Sequence, residues 1–463
     1  MSRNCLFCAI APKRLKLNKV LRHTDIIMNK TLTYLITAAT LSSPTLFGAI
    51  TQNSYILQNG VNGYNGSTGL EIRVNGSKRS SEETESFFLD GLPGDDGLTG
   101  DTDNRRDGLF SFQDALAQLP TGATIIKAAL VFTTESTPDA QSTNAFNVYR
   151  LLTSFDTNST TYENYSSSGG VAFGESADLL SGSFRDKTNS PNTVVRADVT
   201  RIVQSWKNGA TNYGFGVKSD FNGNGWAIHS SGSSTIAARP QLEISYTTDA
   251  VQIYEYQQLN NGYTGGINVV TTSALTDTVV STTPTDYLDG NNGVDSFDEP
   301  YYLRFDNIEN DIAGKTIEMA ELKIVTAFDS SNAGTNGEFT LHKLLKPFSG
   351  ATVYDDFAGD LQAMLEAGEI SEAIHTFGGI QDNEVVTADV TATLQAWADG
   401  EENYGFYMAA AGTADGWKIF TNEAEDPSFA PYLRVITSEA VPEPTTAVLA
   451  LLGLAAISRR RRC

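Results

Sequence analysis

Cysteine is almost missing from this 463-residue chain, with only Cys5, Cys8 and Cys463 at its two ends. The long stretch between them can hold neither a structural disulfide nor a thiol nucleophile. Cys5 and Cys8 make a C-x-x-C pair, but no second pair or His-x-His partner follows, so only half a zinc site is present. Histidine is nearly as scarce: His23, His229, His342 and His375 complete the set. H-E-x-x-H, G-x-S-x-G and the P-loop are all missing, which removes the common metalloprotease, hydrolase and nucleotide-binding signatures. Carboxylates are plentiful, so a carboxylate pair for glycoside hydrolysis stays open. No acidic residue, however, sits in an apolar context that would raise its pKa.

Positive charge is also short where it would count. Residues 50–440 keep 21 of the 32 basic residues and 53 of the 55 acidic ones, a net of −32. Such a surface repels nucleic acid and anionic membranes, favours solubility and attracts cations.

What is present is a repeat. VVRADVTRIVQSWKNGATNYGFGV begins at Val194, and VVTADVTATLQAWADGEENYGFYM begins at Val385, an offset of 191 residues. Asp198 matches Asp389, Trp206 matches Trp397, Tyr213 matches Tyr404, Trp226 matches Trp417 and Pro240 matches Pro431. The chain is a tandem duplication. In each copy apolar residues follow the Asp at helical spacing: Val199, Ile202, Val203 and Trp206, then Val390, Leu394 and Trp397. Asp198 and Asp389 are placed to accept first-turn amides, and Gly209 and Gly400 to end the helix. This stripe puts Trp206 and Trp397 in the core, and alternation with Ile228 and Ile419 puts Trp226 and Trp417 there too. Leu242, Ile244 and Tyr246 alternate in a closing strand, as do Leu433 and Val435, which predicts one buried face.

In chain order, residues 1–27 are basic and unpatterned, and Met28 is an alternative start. Residues 28–49 combine a short basic start, an apolar run from Leu32 to Leu41 and small residues at Gly48 and Ala49, the pattern of a secretory signal peptide. An N-terminal anchor is the rival, although Ser42, Ser43 and Pro44 interrupt the run. The repeats then occupy 50–248 and 249–437. NGVNGYNGSTGLEIRV is echoed by NNGYTGGINVV, so Tyr64 and Tyr263 hold matching turn positions. Asp95, Asp96, Asp101 and Asp103 form an acidic loop, a candidate calcium site for a cation that wants six to eight oxygens. Arg105 and Arg106 stand where EF-hand ligands would be, and a solvated turn is the plainer reading.

An acidic loop, Arg, LFSF or LRFD, an A-x-L strand, then DVT, W, G, NYGF and P-x-L-x-I resembles the DNRLRE domain, twice over. DNRR at Asp103–Arg106 lies close to that family's eponymous run, whereas the second copy has only DSFDEPYYLRF. The resemblance, which extends to carbohydrate-binding module family 96, implies an all-β fold. The expected architecture is two tandem jelly-roll-like β-sandwich domains, each with one short helix carrying a core Trp. It also implies a non-catalytic surface protein that binds or structures extracellular polysaccharide. The glycan-binding candidates are Tyr64, Tyr263, Tyr301 and Tyr302, as exposed loop aromatics, with Arg105 and Arg106. A purely structural surface protein with protein partners is the alternative, and a polysaccharide lyase or hydrolase a second.

At the C-terminus, Pro442-Glu443-Pro444 precedes thirteen mostly apolar residues and then Arg459, Arg460, Arg461 and Arg462. At 1.5 Å per residue the apolar run reaches ~20 Å, short of the ~30 Å hydrocarbon core. The run is thus a poor permanent transmembrane helix. The order of elements in 441–463 is similar to the PEP-CTERM sorting signal of Gram-negative bacteria. That likeness implies export to the cell surface or matrix, an exosortase as processing partner and transient membrane contact through both termini.

Overall fold

Period-2 alternation and frequent glycine turns drive much of this chain into antiparallel sheets. The computed structural model describes residues 50–91, 105–137, 145–185, 191–219, 225–280, 282–290, 297–328, 333–412 and 416–439. These lie within one unit, Phe47–Cys463. The cysteines, His23, the expected leader and signal peptide at 1–49, the acidic stretch Asp95 to Asp103 and the sorting residues expected at 441–463 fall outside the described residues.

The architecture is all-β, and its topology occurs twice. In the first half, a four-stranded sheet runs in the order Asn53–Leu57, Gln241–Thr247, Thr124–Thr133, Val194–Asp198. It faces a six-stranded sheet ordered Lys78–Ser80, Ser67–Arg73, Arg106–Phe112, Phe215–Lys218, Phe146–Leu151, Ala177–Phe184. A two-stranded ribbon, Ser86–Leu89 with Trp226–His229, completes it. The second half repeats this plan: Val251–Gln257, Tyr432–Ser438, Thr316–Val325 and Val385–Asp389 form its four-stranded sheet. Its larger sheet has five strands, because no counterpart of Lys78–Ser80 occurs among the described residues.

Each core fills the gap between its sheets. Leu57, Leu130 and Ile244 from one sheet meet Phe110, Val148 and Phe215 from the other. In the second half Leu322, Leu433 and Val435 meet Leu303, Leu341 and Phe406. All four tryptophans are inside, with Trp206 at 5%, Trp226 at 2%, Trp397 at 3% and Trp417 at 0% exposure. The Trp206 and Trp397 helices are Thr200–Lys207 and Thr391–Ala398. Asp198 Oδ1 accepts the Thr200 amide at 2.8 Å and Asp389 Oδ1 the Thr391 amide at 2.9 Å. Gly209 and Gly400 end the helices at φ of 105° and 106°. One alternation breaks: a bulge between Ser245 and Tyr246 turns Tyr246 partly outward and puts Thr247 inside.

The halves pack extensively on each other. Lys323 Nζ lies 3.3 Å from the Asp198 carboxylate and 3.2 Å from the Ser181 carbonyl. Arg434 donates to the carbonyls of Ile125 and Ile126, both at 2.9 Å. Arg201 donates to Gln257 at 2.6 Å, with its guanidinium 4.1 Å from the centre of the Tyr432 ring. Lys127 pairs with Glu321, Arg185 with Glu384, and Phe173 packs on Phe429. Tyr432 and Arg434 point away from their own core, yet they are buried under the other half.

Candidate functional site

Strand Ser67–Arg73 alternates Leu70 and Ile72 on one face with Glu71 and Arg73 on the other. Glu71 is fully buried, accepting from Arg73 Nε and from the Phe88 amide at 2.7 Å. Across the sheet, Arg79 stands opposite Glu71, and Arg106 opposite Arg73. The Arg106 guanidinium lies 4.8 Å from the centre of the Phe88 ring. Its pKa is lowered, first by burial and then by repulsion from Arg73. Three guanidinium groups therefore share one end of the first sandwich around a single buried carboxylate and the nearby Asp90.

Arg105 and Arg106, adjacent in sequence, point to opposite faces. Arg105 Nε donates to Asp107 Oδ1 at 3.3 Å, and its guanidinium lies 5.9 Å from the centre of the Tyr162 ring. Asp107 is fully buried and takes the Val171 amide at 2.8 Å. Lys78 lies on that same outer side and donates to the Thr157 carbonyl at 2.8 Å. The partners of Arg106 that sequence reading overlooked are Arg73 and Glu71. The alternation in STGLEIR was the available signal for them.

The tyrosine candidates separate. Tyr301 and Tyr302 are not loop residues: both lie in strand Tyr301–Phe305 at 1% exposure. Tyr302 is enclosed by Phe348, Phe357 and Tyr407. A ring enclosed in the core has no face to stack on a sugar, so the expectation for these two is corrected. YYLRF reads as an exposed aromatic pair because its second face is covered by residues far along the chain. Tyr64 and Tyr263 are half-buried turn closures. Tyr64 donates to the Gln113 carbonyl at 3.1 Å, and Tyr263 to the Asp306 carbonyl at 3.0 Å. Burial raises the pKa of both phenols.

The same end of the second half carries the opposite charge. The bridge Asp90–Arg106 has its counterpart in Asp289–Glu299. Burial, reinforced by Asp289 and Asp286, pushes the Glu299 carboxyl up. Burial also pushes up Asp286, with Glu423 adding to it. Among the described residues no group of three or more His, Cys, Asp or Glu is arranged to hold a metal ion. The calcium expectation falls on residues outside them.

Residues 440–462 match the PEP-CTERM protein-sorting motif. The chain is an exported protein of the Gram-negative cell surface or extracellular space, recognised by an exosortase during maturation. No curated protein matches it. Among solved structures, allantoicase from Saccharomyces cerevisiae is 9% identical, covering 72% of this chain and 77% of its own, with a TM-score of 0.15. The infectious bursal disease virus VP2 subviral particle is also 9% identical, covering 85% and 77%, at 0.12. Likenesses this low carry no argument about fold or activity. Among the described residues no helix is long and apolar enough to cross a membrane.

Proposed function

We propose that this exported protein is non-catalytic and binds acidic extracellular polysaccharide through the arginine-rich end of its first half. The supporting observation is a charge reversal at one equivalent position: Arg106, with Arg73 and Arg79 beside it, stands where the second half has Glu299, which Asp289 and Asp286 flank. With a net of −32 over residues 50–440, the mean field repels a polyanion, so binding needs a local cluster that overrides it. Guanidinium groups suit this task, because their planar donor forks match carboxylates such as those of uronates. Neutral glycans would bind with little salt dependence, and acidic ones through this end.

The test is calorimetry of the exported protein with a uronate polymer, with and without a chelator, at low and high salt. Chelator-insensitive binding that weakens with salt and falls at least about tenfold in Arg79→Gln supports the reading. Absent binding, or binding unchanged in Arg79→Gln, rejects it. Binding lost with the chelator would instead assign recognition to bridging cations.

A further inference from the structure

The contact between the two halves is heterologous, so among the described residues much of the surface that each half's twin employs is not engaged within the chain. On the first half one end of strand Thr124–Thr133 is engaged, through Lys127 and the Ile125 and Ile126 carbonyls. The second half docks with the outer face of its four-stranded sheet, where Glu321, Lys323, Tyr432 and Arg434 point. The first half receives it on another surface: Ser181, Asp198 and Arg201 beside the start of its Trp helix. These two sets do not correspond under the repeat. The position equivalent to Asp198 is Asp389, and that of Arg201 is Ala392. Pairing through Val217–Val148–Gly182 and Met408–Leu341–His375 places His375 where the first half has Gly182, and hence Ile374 where it has Ser181. Ile374, His375, Asp389 and Ala392 line an open groove of about 630 Å³ at the start of helix Thr391–Ala398.

The complementary surface on the first half is partly exposed, with Ile56 and Arg196 exposed, Ala129, Gln241 and Glu243 half-buried and Val131 buried. Ile56, Glu243 and Ala129 form one row across the outer face of its four-stranded sheet, and Gln241, Val131 and Arg196 form the next. These are the positions of Glu255, Arg434 and Glu321, and of Tyr432, Lys323 and Thr387, in the second half. A terminal face that merely ends a stack should be polar. Here Ile56 and Val194 on this face are 44% and 49% exposed.

We propose that copies of this chain associate head to tail. The outer sheet face of the first half of one copy docks in the groove beside Asp389 of the next, continuing the packing already used within the chain. A heterologous contact of this kind leaves a free surface at each end and grows into a ring or an open filament. The chemistry of the two surfaces fits. Apolar Ile374 and Ala392 meet a face carrying Ile56, Val194 and Ala129. Arg196 lies directly across the strand pair from Val131, which holds the place of Lys323; it pairs with Glu243 at 3.3 Å within its own sheet and is the cation that this face offers to Asp389.

Sedimentation velocity of the exported protein over a concentration series tests this. The wild type should associate progressively. Val194→Glu and Ala392→Glu, each at an exposed position, should each weaken association at least about tenfold, because a carboxylate is placed in the contact. The mixture decides. Val194→Glu keeps an intact groove and Ala392→Glu an intact sheet face, so together they should form a one-to-one dimer and nothing larger. Thermal midpoints near wild type verify the fold; Ile56→Lys replaces Val194→Glu, and the groove variant His375→Glu replaces Ala392→Glu, where either fails this check. A wild type monomeric up to ~1 mM, singles that associate like wild type, or a mixture that stays monomeric would overturn the proposal.

Discussion

Lys323→Met removes one charge from the seam between the halves and keeps most of the apolar stem. Lys323 is 3% exposed, and its ammonium sits 3.3 Å from the Asp198 carboxylate. Removing one partner of a buried pair costs about 3–5 kcal/mol, mostly through the charge left behind. Asp198 keeps the Thr200 amide and has 16% of its side chain exposed, which argues for the lower end, about 3 kcal/mol. The loss should depend on pH. Burial alone would raise the Asp198 carboxyl, but Lys323, the Thr200 hydrogen bond and Lys127 together hold it below its ordinary value. A depressed carboxyl contributes stability above its unfolded pKa of about 3.9 and loses it as pH falls through the folded value. The variant should therefore be about 3 kcal/mol less stable than wild type at pH 7 and far closer to it below about pH 3. Urea unfolding followed by tryptophan fluorescence at both pH values measures this. A loss under about 1 kcal/mol at pH 7, or an equal loss at both pH values, would refute the reasoning.

Trp417→Ala should cost about 3–5 kcal/mol, since it opens a cavity at 0% exposure and leaves Thr326 Oγ1 without its 3.0 Å indole partner. Thermal unfolding of the variant reads this directly. Gly214→Ala should destabilise more than Gly209→Ala, although their φ values are nearly equal at 103° and 105°. A Cβ at Gly214 would lie 2.2 Å from the Phe110 carbonyl oxygen, whereas one at Gly209 meets nothing within 4 Å. Matched urea midpoints for the two variants would show that the close approach does not matter.

Much of this fold was legible because its causes are local. The apolar spacing from Val199 to Trp206 specifies a helix and its buried stripe, and the 191-residue offset transfers the same reading to Trp397. The arginine-rich end was half legible. Arg106 stands out in the sequence, but pairing it with Arg105 ignores that neighbours along a strand point to opposite faces. Glu71 and Arg73 reach Arg106 across the sheet, a pairing set by register rather than by sequence distance.

By itself the sequence determined the duplication, the all-β class, the two Trp helices and the C-terminal sorting motif, all carried by short-range pattern or contiguous residues. Only the tertiary structure decided which faces are covered. YLRVITS reads as a strand with one wet face, yet the first half closes over Tyr432 and Arg434. The equivalent Gln241 and Glu243 remain partly exposed, and among the described residues Glu243 pairs with Arg196 of its own sheet rather than with the other half. Burial depends on what packs against a face, and a strand's own alternation records only that it has two.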